Sequence, residues 1–302
     1  METVTVALWP ANLEQPAPSL AAWLANLEAR MAEAEAAGAQ ILVLPELACT
    51  QWLSFAAPGM GPAELSAWLA AVAVDAAPAL REMAVRHGVA LLPGSFPVAV
   101  PGETGLPRNQ AWLFLPDGGA RIQDKLCLTP SELGMFNPGS SVNVVRWSGL
   151  RIAIVICLDV EFTALWARLG TLDLDLVLVP AKTDMVSGYH RVFGCAKARA
   201  IELQAPVCVV GATGAPLALP ALDTTVGGAA AYIPCEAALG PTGVFAAQEP
   251  HTAADGLPPF LLCPHLPVMA CRRIRHGGAE AEVWPGSWAA DGVAIADPAP
   301  CL

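Results

Sequence analysis

The sequence contains few charged residues and no run of lysines or arginines. Charged residues make up 14% of the chain, and 27 acidic residues against 16 basic ones give a net charge of −11. Binding to a nucleic-acid backbone requires clustered cations, so we expect no nucleic-acid partner. Hydrophobic residues make up 55% of the chain, which argues against disorder and permits a large buried core.

Targeting and membrane signals are also missing. The N-terminal METVTVALWP lacks a basic segment followed by an apolar one, so no secretory signal is expected. The longest uncharged stretch, residues 203–222, contains three prolines and two glycines, and it predicts a strand and a loop rather than a membrane span. The nine cysteines form no CxxC pair, which favours reduced thiols in a cytoplasmic protein.

Several motifs of other enzyme classes are absent. The sequence has no GxSxG of serine hydrolases, no HExxH or Cys/His spacing of metal sites, and no glycine-rich nucleotide-binding loop. None of the five histidines follows a strand pattern, so a Cys–His protease is disfavoured.

Apolar strand patterns alternate with helical patterns along most of the chain. Strands are predicted at 3–9, 40–46, 89–96, 109–115, 120–125, 142–147, 150–157, 174–181, 206–212 and 229–234, and helices at 20–37, 63–88, 161–169 and 188–204. Two short turns, PDGG and SG, predict hairpins between the middle strands. Pro78 predicts a break or a kink in its helix. Helices at both ends and hairpins between them favour an α/β fold of two facing sheets covered by helices. We expect a single domain over residues 1–302 and assign no element after residue 250.

Three reactive side chains follow predicted strands. Glu46 comes after QILVLP, Lys125 after ARIQD, and Cys157 after LRIAIVI. Sites of α/β proteins form outside the carboxyl ends of strands. Each residue alone is typical of a strand end or, for the cysteine, of a core; together they form a chemically coherent set.

A carboxylate, an ammonium and a thiol can perform nucleophilic catalysis. A thiol is mostly protonated at neutral pH, so Glu46 can accept the proton of Cys157. Lys125 can stabilise the thiolate and then the oxyanion of a tetrahedral intermediate. The backbone N–H of Leu158, at the start of the following helix, is a second candidate oxyanion donor, and the turn at ICLD resembles a nucleophile elbow with cysteine in place of serine.

The segments PELACTQW, DKLCLTPSE and RIAIVICLDVEF resemble, in order and spacing, the Glu-Lys-Cys motifs of the nitrilase, or carbon–nitrogen hydrolase, superfamily. The resemblance covers about residues 3 to 250, with residues 251–302 as a C-terminal extension. It implies a four-layer α-β-β-α sandwich, a homodimer or higher homo-oligomer formed through outer helices, and no metal or organic cofactor. It also implies a second glutamate after the lysine, a position that Glu132 fits.

Other positions of this sequence bear on the substrate. The resemblance makes Ala181 and Thr183, in the later block LVLVPAKTD, candidate substrate-binding residues. The nitrile-cleaving branch usually has Cys-Trp-Glu where this chain has Cys157-Leu158-Asp159, which favours an amide or ureido substrate. Lys182 is expected either to contact an acidic substrate or to point to solvent. Asp159 is expected to order the turn, and Glu161 to begin the next helix.

The sequence therefore predicts a cofactor-independent hydrolase that cleaves a non-peptide C–N bond of a small amide through a cysteine thioester. The alternatives are a nitrilase, an N-carbamoyl amidohydrolase, or a catalytically silent binding protein of the same fold. A membrane acyltransferase of the superfamily is disfavoured because no spanning helix is predicted.

Overall fold

The chain forms two β-sheets, and the computed structural model describes residues 1–100, 102, 105–214, 225–252, 260–281 and 292–293. The strands are β1 (Val4–Leu8), β2 (Ile41–Val43), β3 (Ala90–Leu92), β4 (Ser95–Val98), β5 (Arg108–Phe114), β6 (Ala120–Asp124), β7 (Val145–Trp147), β8 (Leu150–Ile154), β9 (Leu176–Ala181), β10 (Val207–Gly211), β11 (Gly228–Tyr232), β12 (Val244–Ala247) and β13 (Leu261–Leu266). The α-helices are α1 (Leu20–Ala36), α2 (Pro62–His87), α3 (Thr163–Leu169), α4 (Val186–Leu203) and α5 (Val268–Arg275). Short 3₁₀-helices lie at Ala48–Phe55, Cys157–Glu161 and Gly170–Leu172.

Parallel strands occupy the centre of each sheet. The first sheet has the order β13-β1-β2-β3-β5-β4, with β6 also paired to β5, and β1, β2 and β3 run parallel. The second has the order β12-β11-β10-β9-β8-β7, with β8, β9 and β10 parallel. The segments after β8 and β9 therefore leave the second sheet at the same edge, which brings Cys157 near residues 181–183.

Alternating side chains of the first sheet place it between the helices and the second sheet. Ile41 and Val43 belong to the core shared with the second sheet. Leu42 and Leu44 belong to a separate core with α1 and α2. Helix α4 packs on the second sheet. The expected four-layer α-β-β-α sandwich is confirmed, and its side-chain alternation follows from the two-residue period of a strand.

Helix α2 is continuous through Pro78, so of the two predicted outcomes the break is wrong, and the kink stays a prediction. Pro78 and Val74, whose carbonyl loses its helical partner, both lie on the exposed face, where water can replace the missing bond. By length and composition alone α2 could also cross a membrane, which the sequence analysis did not anticipate. Here one face of α2 packs on the first sheet through residues such as Leu69, Leu80 and Met83.

Residues after 250 contribute a strand and a helix that the sequence analysis missed. Strand β13 pairs antiparallel with β1 at the edge of the first sheet. It contains Pro264 and a left-handed His265 (φ 57°). An edge strand tolerates both residues, and they interrupt the sequence pattern by which a strand is predicted. The rest of the extension, 253–259, 282–291 and 294–302, lies outside the described residues, as do residues 215–222 of the long uncharged stretch.

Candidate active site

Glu46 lies in a tight loop after β2 and is only 2% exposed. Leu47, the next residue, adopts a left-handed conformation (φ 52°), and its N–H donates to Ser95 Oγ at 3.1 Å. Gly94 is needed beside this loop, because a Cβ at that position would overlap the carbonyl oxygen of Pro45. Gly94 and Ser95, where β4 begins after β3, thus fix the backbone that carries Glu46. The turn at Pro93-Gly94 divides the strand predicted at 89–96 in two.

Lys125 follows β6 and is also 2% exposed. Its Nζ donates to Glu46 Oε1 at 2.8 Å and to Glu132 Oε1 at 2.7 Å. Its backbone N–H donates to the carbonyl of Asn109 on β5 at 2.8 Å. A buried ammonium requires partners of this kind, so the lysine and the two glutamates form one ionic unit.

Glu132 lies in the loop that follows Lys125. Its second oxygen, Oε2, accepts the backbone N–H of Thr129 at 2.8 Å. That bond orients the carboxylate, so its other oxygen faces the lysine. The resemblance implied a second glutamate after the lysine. The structure places Glu132 in the ionic unit, directly against Lys125.

Asn109 is a buried residue of this site that the sequence analysis missed. Its Nδ2 donates to Glu46 Oε1 at 2.9 Å and lies 3.5 Å from Glu132 Oε1. The amide thus contacts the same two carboxylate oxygens as Lys125. The available signal was a polar pair, Asn109-Gln110, inside an apolar strand.

Cys157 is the first residue of the 3₁₀-helix Cys157–Glu161, at the sharp turn that follows β8. Its φ is 47°, a left-handed conformation that is uncommon for a non-glycine residue and marks a strained turn. Its Sγ donates to the Lys182 carbonyl at 3.4 Å. The strained strand-to-helix turn is the geometry of a nucleophile elbow.

The surroundings of the thiol favour its neutral form. Burial raises the pKa of Cys157, and the charge of Glu46 and a hydrogen bond with it raise it further; the charge of Lys125 opposes them without outweighing them. For Lys125, burial lowers the pKa, but the neighbouring negative charges, that of Glu46 foremost, outweigh burial and raise it. A protonated thiol beside a carboxylate and a permanent ammonium requires a base at the moment of attack.

The remaining predicted residues surround the turn. Leu158 follows the cysteine in the 3₁₀-helix, and Ala181 is the last residue of β9. The Thr183 hydroxyl donates to the Val226 carbonyl at 2.6 Å, so this bond holds residues 225–228 near the site. The roles of all three in substrate binding stay predictions.

Two expectations about charged residues near the turn are corrected. Lys182 does not point to solvent: its side chain is 11% exposed, and its Nζ lies 2.7 Å from Asp184 Oδ1. Glu161 precedes α3 rather than beginning it, and it pairs with Arg191 at 2.7 Å.

Asp159 does not cap the turn that carries the cysteine. Its carboxylate instead accepts backbone N–H groups from the segment that follows Lys125. The expectation that it orders the turn is therefore incomplete.

The described part of the chain contains neither a cluster of metal-ligating side chains nor a disulfide. Among residues 1–100, 102, 105–214, 225–252, 260–281 and 292–293, no group of three or more His, Cys, Asp or Glu could hold a metal ion. Eight of the nine cysteines are free thiols, and Cys301 lies outside the described residues.

The chain resembles known proteins both in sequence and in structure. The sequence profile described as Carbon-nitrogen hydrolase matches residues 5–253. The chain is 31% identical to Probable hydrolase YhcX of Bacillus subtilis (strain 168) over 57% of this chain and 33% of that protein. It is 33% identical to an (R)-stereoselective amidase of Pseudomonas sp. over 35% of this chain and 39% of that protein. The matched segments thus span less than half of either relative.

Solved structures give a longer match. An amidase from Nesterenkonia sp. superposes with a TM-score of 0.66 at 25% identity, covering 89% of this chain and 92% of that one. A mutant of the amidase from Nesterenkonia sp. AN1 in complex with butyramide superposes with a TM-score of 0.65 at 25% identity, covering 91% and 95%.

Proposed function

Because this chain belongs to the carbon–nitrogen hydrolase family, as the resemblance of its three motifs predicted, we propose that it hydrolyses the C–N bond of a small non-peptide amide through a Cys157 thioester. The observation that carries the proposal is the buried ionic unit beside the strained thiol. Lys125 lies 2.8 Å from Glu46 and 2.7 Å from Glu132, and the charges of Lys125 and Glu46 both act on the Cys157 sulfur.

The first half-reaction transfers the acyl group to sulfur. Glu46 accepts the thiol proton as the sulfur attacks the carbonyl carbon, and the C=O π electrons move to oxygen. Lys125 and the Leu158 N–H stabilise that oxyanion. The tetrahedral intermediate collapses, the C–N bond breaks, and protonated Glu46 gives its proton to the departing nitrogen. Ammonia or an amine leaves, and the acyl group remains on Cys157 as a thioester.

The second half-reaction releases the acid. Glu46 takes a proton from a water molecule, and the resulting hydroxide adds to the thioester carbon. The same two donors stabilise the second oxyanion. The C–S bond then breaks, a carboxylic acid leaves, and protonated Glu46 returns its proton to the sulfur. Glu132 orients Lys125 in both steps, since its second oxygen is held by the Thr129 N–H.

Three observations favour an amide over a nitrile. The residues after the nucleophile are Leu158 and Asp159 rather than Trp and Glu. A curated relative is named an amidase, and a structural neighbour is an amidase bound to butyramide.

We propose a homodimer or higher homo-oligomer for the assembly.

Release of ammonia from parallel panels of small amides, nitriles and N-carbamoyl compounds tests the proposal. We expect the amide panel to give the highest kcat/KM and Cys157→Ala to abolish turnover of every substrate. Cys208→Ala, which removes a buried thiol from β10 away from the turn, is the matched control and should keep wild-type turnover. Faster turnover of a nitrile or carbamoyl compound would assign one of the alternative activities. An inactive chain whose Cys157 reacts with iodoacetamide no faster than the other thiols would favour the binding protein.

A further inference from the structure

Asp159 connects the two strand ends that carry the thiol and the ammonium. It lies two residues after Cys157 and is 1% exposed. Its Oδ1 accepts the backbone N–H of Cys127 at 2.7 Å, and its Oδ2 accepts that of Leu126 at 3.1 Å. These two donors directly follow Lys125, so one carboxylate connects the backbone of the second sheet's turn to that of the first sheet's lysine.

The other bonds of the Lys125 backbone lie within the first half of the chain. Its N–H donates to Asn109 O at 2.8 Å, and its carbonyl accepts the Gly139 N–H at 2.7 Å. Neither bond connects the backbone of the lysine to the second sheet, where the sulfur lies. The two hydrogen bonds of Asp159 make that connection, through the residues that follow the lysine.

We propose that Asp159 is a positioning residue that sets the separation of the Lys125 ammonium and the Cys157 sulfur through the backbone of residues 126–127. The inference rests on the proposed roles of Lys125 and Cys157. It goes beyond ordering of the turn, because the effect of Asp159 passes through Lys125.

The ionisation state of Asp159 matters for this role. Burial raises the pKa of Asp159 to about 6; the two backbone N–H groups and Lys125 oppose the rise, whereas Glu46 adds to it. The Cys127 thiol also contacts the carboxylate. The ionised form accepts both N–H groups. A protonated carboxyl carries an O–H on one oxygen, which competes with one of the two N–H donors.

Asp159→Asn imitates the protonated form at every pH. Its amide can accept the Cys127 N–H but presents an NH₂ group to the Leu126 N–H. The side chain keeps its size, so the fold should persist. Asp175→Asn is the matched control: Asp175 is a buried carboxylate that accepts the Arg151 N–H at 2.7 Å and lies just before the opposite end of β9, about 20 Å from the site at 3.3 Å per residue.

Amide hydrolysis and thiol alkylation test the proposal together. We expect kcat of Asp159→Asn to fall by about 10- to 100-fold with little change in KM, because a misplaced group that acts in the transition state lowers kcat. Asp175→Asn should lower the melting temperature and keep kcat. The wild-type to Asp159→Asn ratio of kcat should shrink as the pH falls through about 6, since groups that titrate in both proteins cancel in that ratio. An unchanged kcat, or a ratio independent of pH, would overturn the proposal.

Alkylation of Cys157 by iodoacetamide, followed on the Cys157 peptide by mass spectrometry, needs no substrate. The rate should fall in Asp159→Asn, and Asp159→Asn should have no further effect in a Lys125→Met background. An equal effect in both backgrounds would show that Asp159 does not act through Lys125. If the wild type cleaves no amide, the proposed function fails, and this comparison still decides the role of Asp159.

Discussion

Lys125→Met removes the cation that two buried glutamates share, so we expect it to lower both the stability and the turnover of the protein. The ammonium bonds Glu46 and Glu132 at 2.8 and 2.7 Å, and the lysine is 2% exposed. Removing one partner of a buried ion pair typically costs about 3–5 kcal/mol, because a buried charge is left unpaired. We expect a loss of that size in the free energy of unfolding near neutral pH.

The loss should depend on pH in a defined direction. Without the ammonium, two carboxylates face each other, and binding of one proton relieves their repulsion. Proton binding becomes less favourable as the pH rises, by up to about 1.4 kcal/mol per pH unit for one proton. The variant should therefore be closest to wild-type stability in mild acid and furthest from it in mild base.

The same change should slow catalysis. Loss of one oxyanion donor typically lowers kcat by about 10²–10³-fold. Urea denaturation followed by tryptophan fluorescence gives the stability, and ammonia release gives the rate. Lys197→Met is the control, because the sequence has three lysines and Lys197 lies on α4 away from the ionic unit; it should leave kcat unchanged. Wild-type stability and rate in Lys125→Met would refute the reasoning.

Three further results are expected. Glu132→Gln should lower kcat by about 10-fold or more and leave the fold intact. The glutamine amide has only one oxygen, so it cannot accept both the Thr129 N–H and the Lys125 ammonium as the two carboxylate oxygens do. Steady-state kinetics on a small amide measure the effect. Asp175→Ala should lower the free energy of unfolding by about 3–5 kcal/mol without changing kcat per folded molecule, since Asp175 binds Arg272 of α5 far from the site; urea denaturation checks it, and an unchanged midpoint would contradict it. His87 lies 2.6 Å from both Glu28 and Glu35; burial lowers its pKa, but the two carboxylates outweigh burial and raise it. The protonated His87 therefore stabilises the fold fully below the unfolded-state pKa of about 6.5, and this stabilisation is lost as the pH rises through the folded-state pKa. The difference in melting temperature between wild type and His87→Gln should shrink on going to mild base.

Much of the fold is predictable because its elements carry strong local periodicity. Strand β1 and helix α1 lie within a residue or so of their predicted ends, since burial of one helix face and of central strands leaves a clear apolar pattern. Strand β13 was missed because pairing with β1 depends on a partner more than 250 residues away. At a sheet edge, that pairing overrides Pro264.

The site was predictable in part. Glu46 and Cys157 follow apolar strands, and Lys125 follows the second strand of a predicted hairpin. That context is visible in the sequence. Asn109 was missed because its importance comes from carboxylates on other segments.

The partner of Asp159 could not be predicted for a related reason. The hydrogen bonds of Asp159 to Leu126 and Cys127 join residues 33 and 32 positions apart. No local sequence spacing indicates such a pairing. The convergence of reactive strand ends is thus readable from sequence, whereas the contacts that hold them at working distance are not.

The mass of the acyl adduct on the Cys157 peptide, after rapid acid quench during turnover of a small amide, tests the thioester claim most directly. We predict an added acyl group on Cys157 in the wild type and no adduct in Cys157→Ala, with ammonia release lost in the same variant. An adduct on another residue, or turnover that persists in Cys157→Ala, would contradict the account.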